Sequence, residues 1–265
     1  MLRSVIFLCV LLLAACTTSP LGRKQLLLLP ESQVSQMGAA AFAQMKQEQP
    51  TESASAESAY VSCVANAITS VLGSGKWDVA LFKSDQVNAF ALPGGKIGVY
   101  TGLLKVAHTP GQLSAVLGHE VGHVLAHHGN ERMSLQYASS TGMQLLSALS
   151  ASMSEVDPQQ KQLLFSLLGM GVQYGVTLPF SRTQESEADV IGLQLMASAG
   201  FDPRESIALW RNMSAAGGAK PPEFMSTHPS DTHRINNLQA HLPEALRLYQ
   251  QAQAKGIRPT CTPAS

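Results

Sequence analysis

Two histidines four residues apart, His119 and His123, sit in a segment whose ends are marked for a helix, and together they constrain the fold more than any other feature of the chain. Thr109-Pro110-Gly111-Gln112 reads as a helix start: Thr109 can cap, Pro110 suits the first position because its missing N–H would be unpaired there, and Gln112 completes a capping box. Gly129 predicts the stop. Leu113, Val116, Leu117, Val121 and Val124 recur at spacings of three and four, which buries one side. Residues four apart stack one turn above another, so both imidazoles can reach a single ion with Glu120 beside it. A working metal site of this kind takes three protein ligands, so a second element must pack against the helix. Gly118 and Gly122, each costing the helix about 1 kcal/mol relative to Ala, point to a backbone approaching closely at that place.

His119-Glu120-Val121-Gly122-His123 is the HExxH pattern, in which two histidines hold zinc and the glutamate acts as a general base. The extended form with Gly and His three and six residues further on is absent, since those positions are Ala126 and Gly129. His127 and His128 continue along the same helix, where each turn moves a ligand about 5.4 Å up the axis. They read as exposed residues of the last turn that complement the helix dipole. A better third ligand lies on a later helix, begun by the capping box of Ser181 and Gln184 and stopped at Gly200. There Glu185 and Asp189 share a face continued by Leu193 and Met196. Buried carboxylates demand a partner, and a metal would be one; an exposed acidic patch at a helix N-terminus is the other reading. Glu187 points away and reads as solvated.

Elsewhere the chain predicts helices over 31–49 and 53–72, and strands at Trp77–Phe82 and Lys96–Tyr100 joined by a glycine-rich connection, which gives an α+β, mostly helical fold. The apolar stretch Leu163–Val176 is short of a membrane span and reads as a core helix. Lys+Arg and Asp+Glu both number 18, which offers no electrostatic footprint for nucleic acid. Arg3 and the apolar run Val5–Leu13 have the form of an export signal, and Leu13-Ala14-Ala15-Cys16 resembles a bacterial lipobox with Cys16 as the lipidated residue. These features lead to an expected order of signal peptide at 1–15, lipid-anchored tether at 16–30, catalytic domain at 31–252 and tail at 253–265. The expected place is the periplasm, tethered to the outer membrane. With Cys9 in the signal and Cys16 lipidated, Cys63 and Cys261 remain as a disulfide pair or as two separate buried thiols.

The pairing of HExxH with Glu185-Ser186-Glu187-Ala188-Asp189 resembles the ExxAD pattern of metallopeptidase family 48. Further matching stretches are Asn88 to Gly95, Tyr100 to Leu104, and His228-Pro229-Ser230 with Arg234. Among its members the lipobox suggests the LoiP-type periplasmic lipoproteins. The resemblance implies a zincin-like domain and one Zn2+ on His119, His123 and Glu185, with Glu120 as base. It also implies a supporting role for Asp189, which would hold a ligand imidazole, and for Arg234. His228 would either bind the oxyanion or coordinate zinc as a gate. Asn88, Ala89, Phe90, Gly94 and Gly95 would line an edge strand that binds extended peptide. Expected substrates are unfolded or misassembled envelope proteins, with the membrane, through the anchor, and envelope assembly factors or proteases as partners. The competing expectation is a metal-binding chaperone or assembly factor with little protease activity.

Overall fold

A computed structural model describes residues 16–73, 75–138, 167, 180–216, 223–228 and 232–263. In chain order these form β1 (Cys16–Thr18), β2 (Lys24–Leu26), α1 (Glu31–Glu48), β3 (Thr51–Glu52), α2 (Ala56–Ser70), β4 (Asp78–Phe82), β5 (Ala89–Leu92) and β6 (Lys96–Tyr100). The helices α3 (Thr101–Leu104), α4 (Pro110–Leu125), α5 (His128–Ala138), α6 (Arg182–Ser198), α7 (Glu205–Ala216), α8 (Glu223–Thr227) and α9 (Thr232–Ala254) follow. The signal peptide expected at 1–15 and most of Leu163–Val176 lie outside the described residues, although Leu167 is buried. Among the described residues no helix is long and apolar enough to cross a membrane.

Alternation along β4, β5 and β6 sets the layers. Successive strand side chains point to opposite faces. Leu81, Ala89, Ala91, Ile97 and Val99 join α2, α4 and α6 in one core cluster. Ala80, Phe82, Phe90, Leu92 and Tyr100 join Val34, Phe42 and Met45 of α1 in another. With both faces covered, the strands read as continuous apolar runs with no polar alternation. Gly98 belongs to this packing, because a Cβ there would sit 2.1 Å from the Phe90 ring.

The sheet order is β3-β4-β6-β5, with β4 and β6 parallel and β5 antiparallel to β6. This corrects the expected pairing of two strands across a glycine-rich connection. Pro93-Gly94-Gly95 instead turns β5 into β6, with Gly94 at φ 83° and Gly95 at φ 70°, a left-handed backbone that favours glycine. β5 is left at the sheet edge.

Helix α4 packs on α6 at backbone distance. A Cβ on Gly118 would lie 2.8 Å from the carbonyl oxygen of Gly192, and one on Gly122 would lie 2.9 Å from that of Ala188. The close approach expected at these glycines is therefore that of α6. The Cys63–Cys261 disulfide ties the C-terminal segment to α2 with a Cα–Cα distance of 5.6 Å.

Residues 16–30, read from the sequence as a tether, lie against the domain. β1 and β2 pair as a hairpin in the register Cys16 to Leu26. Gln25 donates to the carbonyl of Ala126 at the end of α4 at 2.5 Å, and Leu28 N–H donates to the Ser134 hydroxyl of α5 at 2.8 Å.

Candidate metal centre

Helix α4 begins as its sequence requires, with the Thr109 hydroxyl accepting the Gln112 N–H at 3.1 Å. It ends earlier than Gly129. Ala126 closes it, and His127 adopts φ 54°, a conformation few non-glycine residues take. That turn redirects the chain, so His128 starts a new helix and points back toward His123. Both residues therefore depart from the exposed last turn that was expected: His128 is 0% exposed, and half-buried His127 reaches Glu31 at 3.1 Å.

Helix α6 carries the capping box expected of Ser181 and Gln184. Its packing against α4 lays Glu185 across the two histidines. Glu185 Oε2 lies 3.4 Å from His119 Nε2, and Oε1 lies 3.4 Å from His123 Nε2. The two Nε2 atoms are 3.1 Å apart. His228, in the segment after α8, places Nδ1 3.2 Å from His119 Nε2 and 3.0 Å from Glu185 Oε1. These four residues offer ligand atoms all within 4.8 Å of one another, and all four are buried. Ligands about 2.0–2.1 Å from a tetrahedral ion stand about 3.4 Å apart, close to the spacing seen here.

The proton arrangement makes the case for a cation stronger. Nδ1 of His119 lies 3.0 Å from Asp189 Oδ1, and Nδ1 of His123 lies 2.8 Å from Nδ1 of His128. With these Nδ1 atoms donating, the neutral imidazoles turn both Nε2 lone pairs toward each other and toward a carboxylate, an arrangement that a positive charge among them, a proton or a metal ion, makes favourable. Burial and Arg234 oppose charge on His119, yet Asp189 and Glu185 outweigh them and lift its pKa to about 9. Burial drives His123 well below its ordinary value, which keeps it the neutral imidazole a metal binds. Burial also works against a charged Glu185, but His228, Arg234 and the two histidines hold it well below the carboxylate range. Glu185 Oε2 has no hydrogen-bond partner among the described residues; Arg234 Nη1 stands 2.7 Å away as an ion-pair contact. The donor set fits a metal ion.

Glu120 lies beside the cluster, buried, with Oε1 lacking a hydrogen-bond partner among the described residues and 3.4 Å from His228 Nε2. Burial raises its pKa, partly offset by His228 and His119, and the Ala91 N–H of β5 binds it. Arg234 of α9 pairs with Asp189 at 2.5 and 2.8 Å and lies 4.1 Å from the Trp210 ring centroid. Of the residues expected to meet peptide, Asn88 and Ala89 are buried at the start of β5, and Phe90 turns its ring into the α1 core. Gly94 and Gly95 form the hairpin turn, packed on the carbonyls of Ser35 and Lys76.

Sequence reasoning missed three participants. Glu187, expected in solvent, is buried between Ser19, Arg23 and His128 because the hairpin covers that face of α6. Phe180 stacks on His123 with ring centroids 4.0 Å apart. Its carrier segment gave no periodic signal. The third is His128, hidden by the turn at His127.

Peptidase family M48 is the family whose profile matches this chain, over residues 32–242. The chain is 41% identical over 190 residues to mitochondrial metalloendopeptidase OMA1 of Schizosaccharomyces pombe, covering 70% of this chain and 53% of that one. Against the human mitochondrial metalloendopeptidase OMA1 the figures are 36% over 179 residues, 65% and 33%. Against the beta-barrel assembly-enhancing protease of Escherichia coli they are 29% over 157 residues, 58% and 32%. The chain thus spans about half, or less, of the length of these relatives. Two expectations are corrected. Similarity is shown to OMA1 and to the barrel-assembly protease, not specifically to LoiP-type lipoproteins. The expected periplasmic place on the outer membrane is overturned, because relatives named mitochondrial point away from a bacterial periplasmic lipoprotein.

Proposed function

We propose, on the premise that this chain belongs to peptidase family M48, that it is a zinc-dependent endopeptidase acting on extended segments of unfolded or misassembled proteins. The observation that carries this reading is the buried cluster of His119, His123 and Glu185 with Glu120 beside it. Nitrogen and carboxylate ligands of this number suit zinc, which when bound acidifies water and polarises a peptide carbonyl. Glu120, a stronger base because burial raises its pKa, takes a proton from the attacking water and delivers it to the leaving amine. Asp189 holds the Nδ1 proton of His119 and keeps Nε2 free for the ion. Among the described residues β5 is the last strand of its sheet and lies beside α4, an edge to which peptide adds through its main chain. Binding of that kind reads backbone more than side chains, which suits a substrate defined by being unfolded.

His228 decides how readily the site works. Its Nδ1 lies 3.2 Å from His119 Nε2 and 3.0 Å from Glu185 Oε1, close enough that it would join these residues in holding an ion, which supports a gate over an oxyanion role. The same position favours the second reading, an assembly factor with little protease activity. Casein cleavage by wild type and Glu185→Ala, with bound zinc measured in each, separates them. Expected is EDTA-sensitive cleavage by wild type and loss of both zinc and cleavage in the variant. Zinc bound without any cleavage would favour the assembly factor, and EDTA-insensitive cleavage by both would overturn the metallopeptidase.

A further inference from the structure

His123 also faces away from the ligand cluster, and a polar chain runs from there to the N-terminal hairpin. Its Nδ1 lies 2.8 Å from Nδ1 of His128, and His128 Nε2 lies 3.1 Å from Glu187 Oε2. Glu187 accepts from Arg23 Nε at 2.8 Å and from the Ser19 hydroxyl. Arg23 also forks onto Glu131 at 2.6 and 2.7 Å. A carboxylate only accepts, so His128 Nε2 must donate to Glu187, and His128 Nδ1 is then the acceptor for His123 Nδ1–H. That sequence of protons leaves Nε2 of His123 as a lone pair aimed at the cluster. The other ligand has a matching arrangement: Asp189, also on α6, holds His119 and is itself pinned by Arg234. Each ligand imidazole is therefore fixed through an α6 carboxylate that is gripped by an arginine, Arg234 from α9 in one case and Arg23 from the hairpin in the other.

We infer that Ser19 and Arg23, acting through Glu187 and His128, position the imidazole of His123 and so set the metal affinity of the centre from the β1–β2 hairpin. The inference rests on the metal-site reading above. It makes the hairpin part of the metal site although none of its side chains belongs to the ligand cluster. His128 and Glu187 are positioning residues, and the hairpin is their outer support.

The test is zinc affinity, measured by competition with a chromophoric chelator on the full chain, beside thermal unfolding of the metal-free protein. Groups that orient a metal-ligating histidine cost about 10–100-fold in affinity when removed, and His128→Ala is expected in that range. Arg23→Ala and Glu187→Gln, farther out along the chain, are expected to weaken zinc by at least about threefold. Arg23→Ala should cost nothing further in the His128→Ala background, because the link is already cut. Should His128→Ala fail to fold, the partly exposed Arg23 and the conservative Glu187→Gln still decide. Zinc affinity within twofold of wild type in both, with a lowered melting temperature, would overturn the inference and leave the hairpin a purely structural brace. Failure of the wild type to bind zinc would instead bring down the metal reading itself.

Discussion

His228 brings its Nδ1 in among the atoms of His119 and Glu185, so on the gate reading removing its side chain changes the rate through access. A competent form populated at about 10% or less predicts that His228→Ala raises initial casein cleavage about tenfold or more. A drop of similar size would assign the residue to oxyanion binding. Glu131 and Glu187 make a pH prediction of a different kind. Burial raises both, but Arg23 leads the groups that pull Glu131 down, and Ser19 and Arg23 lead those acting on Glu187, leaving both below the ordinary 4.5. The stability they lend to hairpin attachment is therefore full above that value and is lost as pH falls through the depressed folded-state values. Limited proteolysis across this range should show residues 16–30 becoming cleavable only at its acid end. At this scale, His119, His123, Glu185 and Asp189 were legible because four-residue spacing on a capped helix fixes a shared face. His128 and Glu187 were not, since one depends on the left-handed His127 and the other on a covering segment far away in sequence.

The contact of α4 with α6 determines whether the ligands meet. Gly192 faces the backbone of His119, and a Cβ there would lie 2.6 Å from the His119 nitrogen. Alanine would gain about 1 kcal/mol as a helix former, whereas overpacking costs about 1–3 kcal/mol. Overpacking wins when backbone atoms are the obstacle, because they cannot swing aside. Gly192→Ala is accordingly expected to lower stability by about 1–2 kcal/mol in chemical unfolding and to weaken zinc by moving Glu185. The glycines of α4 announced this contact from the sequence. The strand order did not announce itself: parallel pairing of β4 with β6 is a long-range choice, and the run from Asn88 to Tyr100 concealed a turn between two strands.

Across the whole molecule, both ends of the described residues are tied back onto helices of the domain. The hairpin lies on α5 and α6, and Cys261 closes a loop of sequence separation 198 onto α2. Cross-links over long loops stabilise by about 2–4 kcal/mol, and Cys261→Ser is expected to lose that much in urea unfolding. Zinc affinity should hold, because the C-terminal segment packs near Gly200, at the opposite end of α6 from Glu185. Counting thiols made this pair legible, whereas docking of the hairpin required contacts from Ser19 and Arg23 to residues more than 100 positions away, which no local pattern encodes. Glu120 tests the account as a whole. With zinc loaded at one ion per chain, Glu120→Gln should retain the metal and cleave casein about 100-fold or more slowly than wild type. A zinc-loaded Glu120→Gln that cleaves at the wild-type rate would contradict the assignment of this cluster as the catalytic centre.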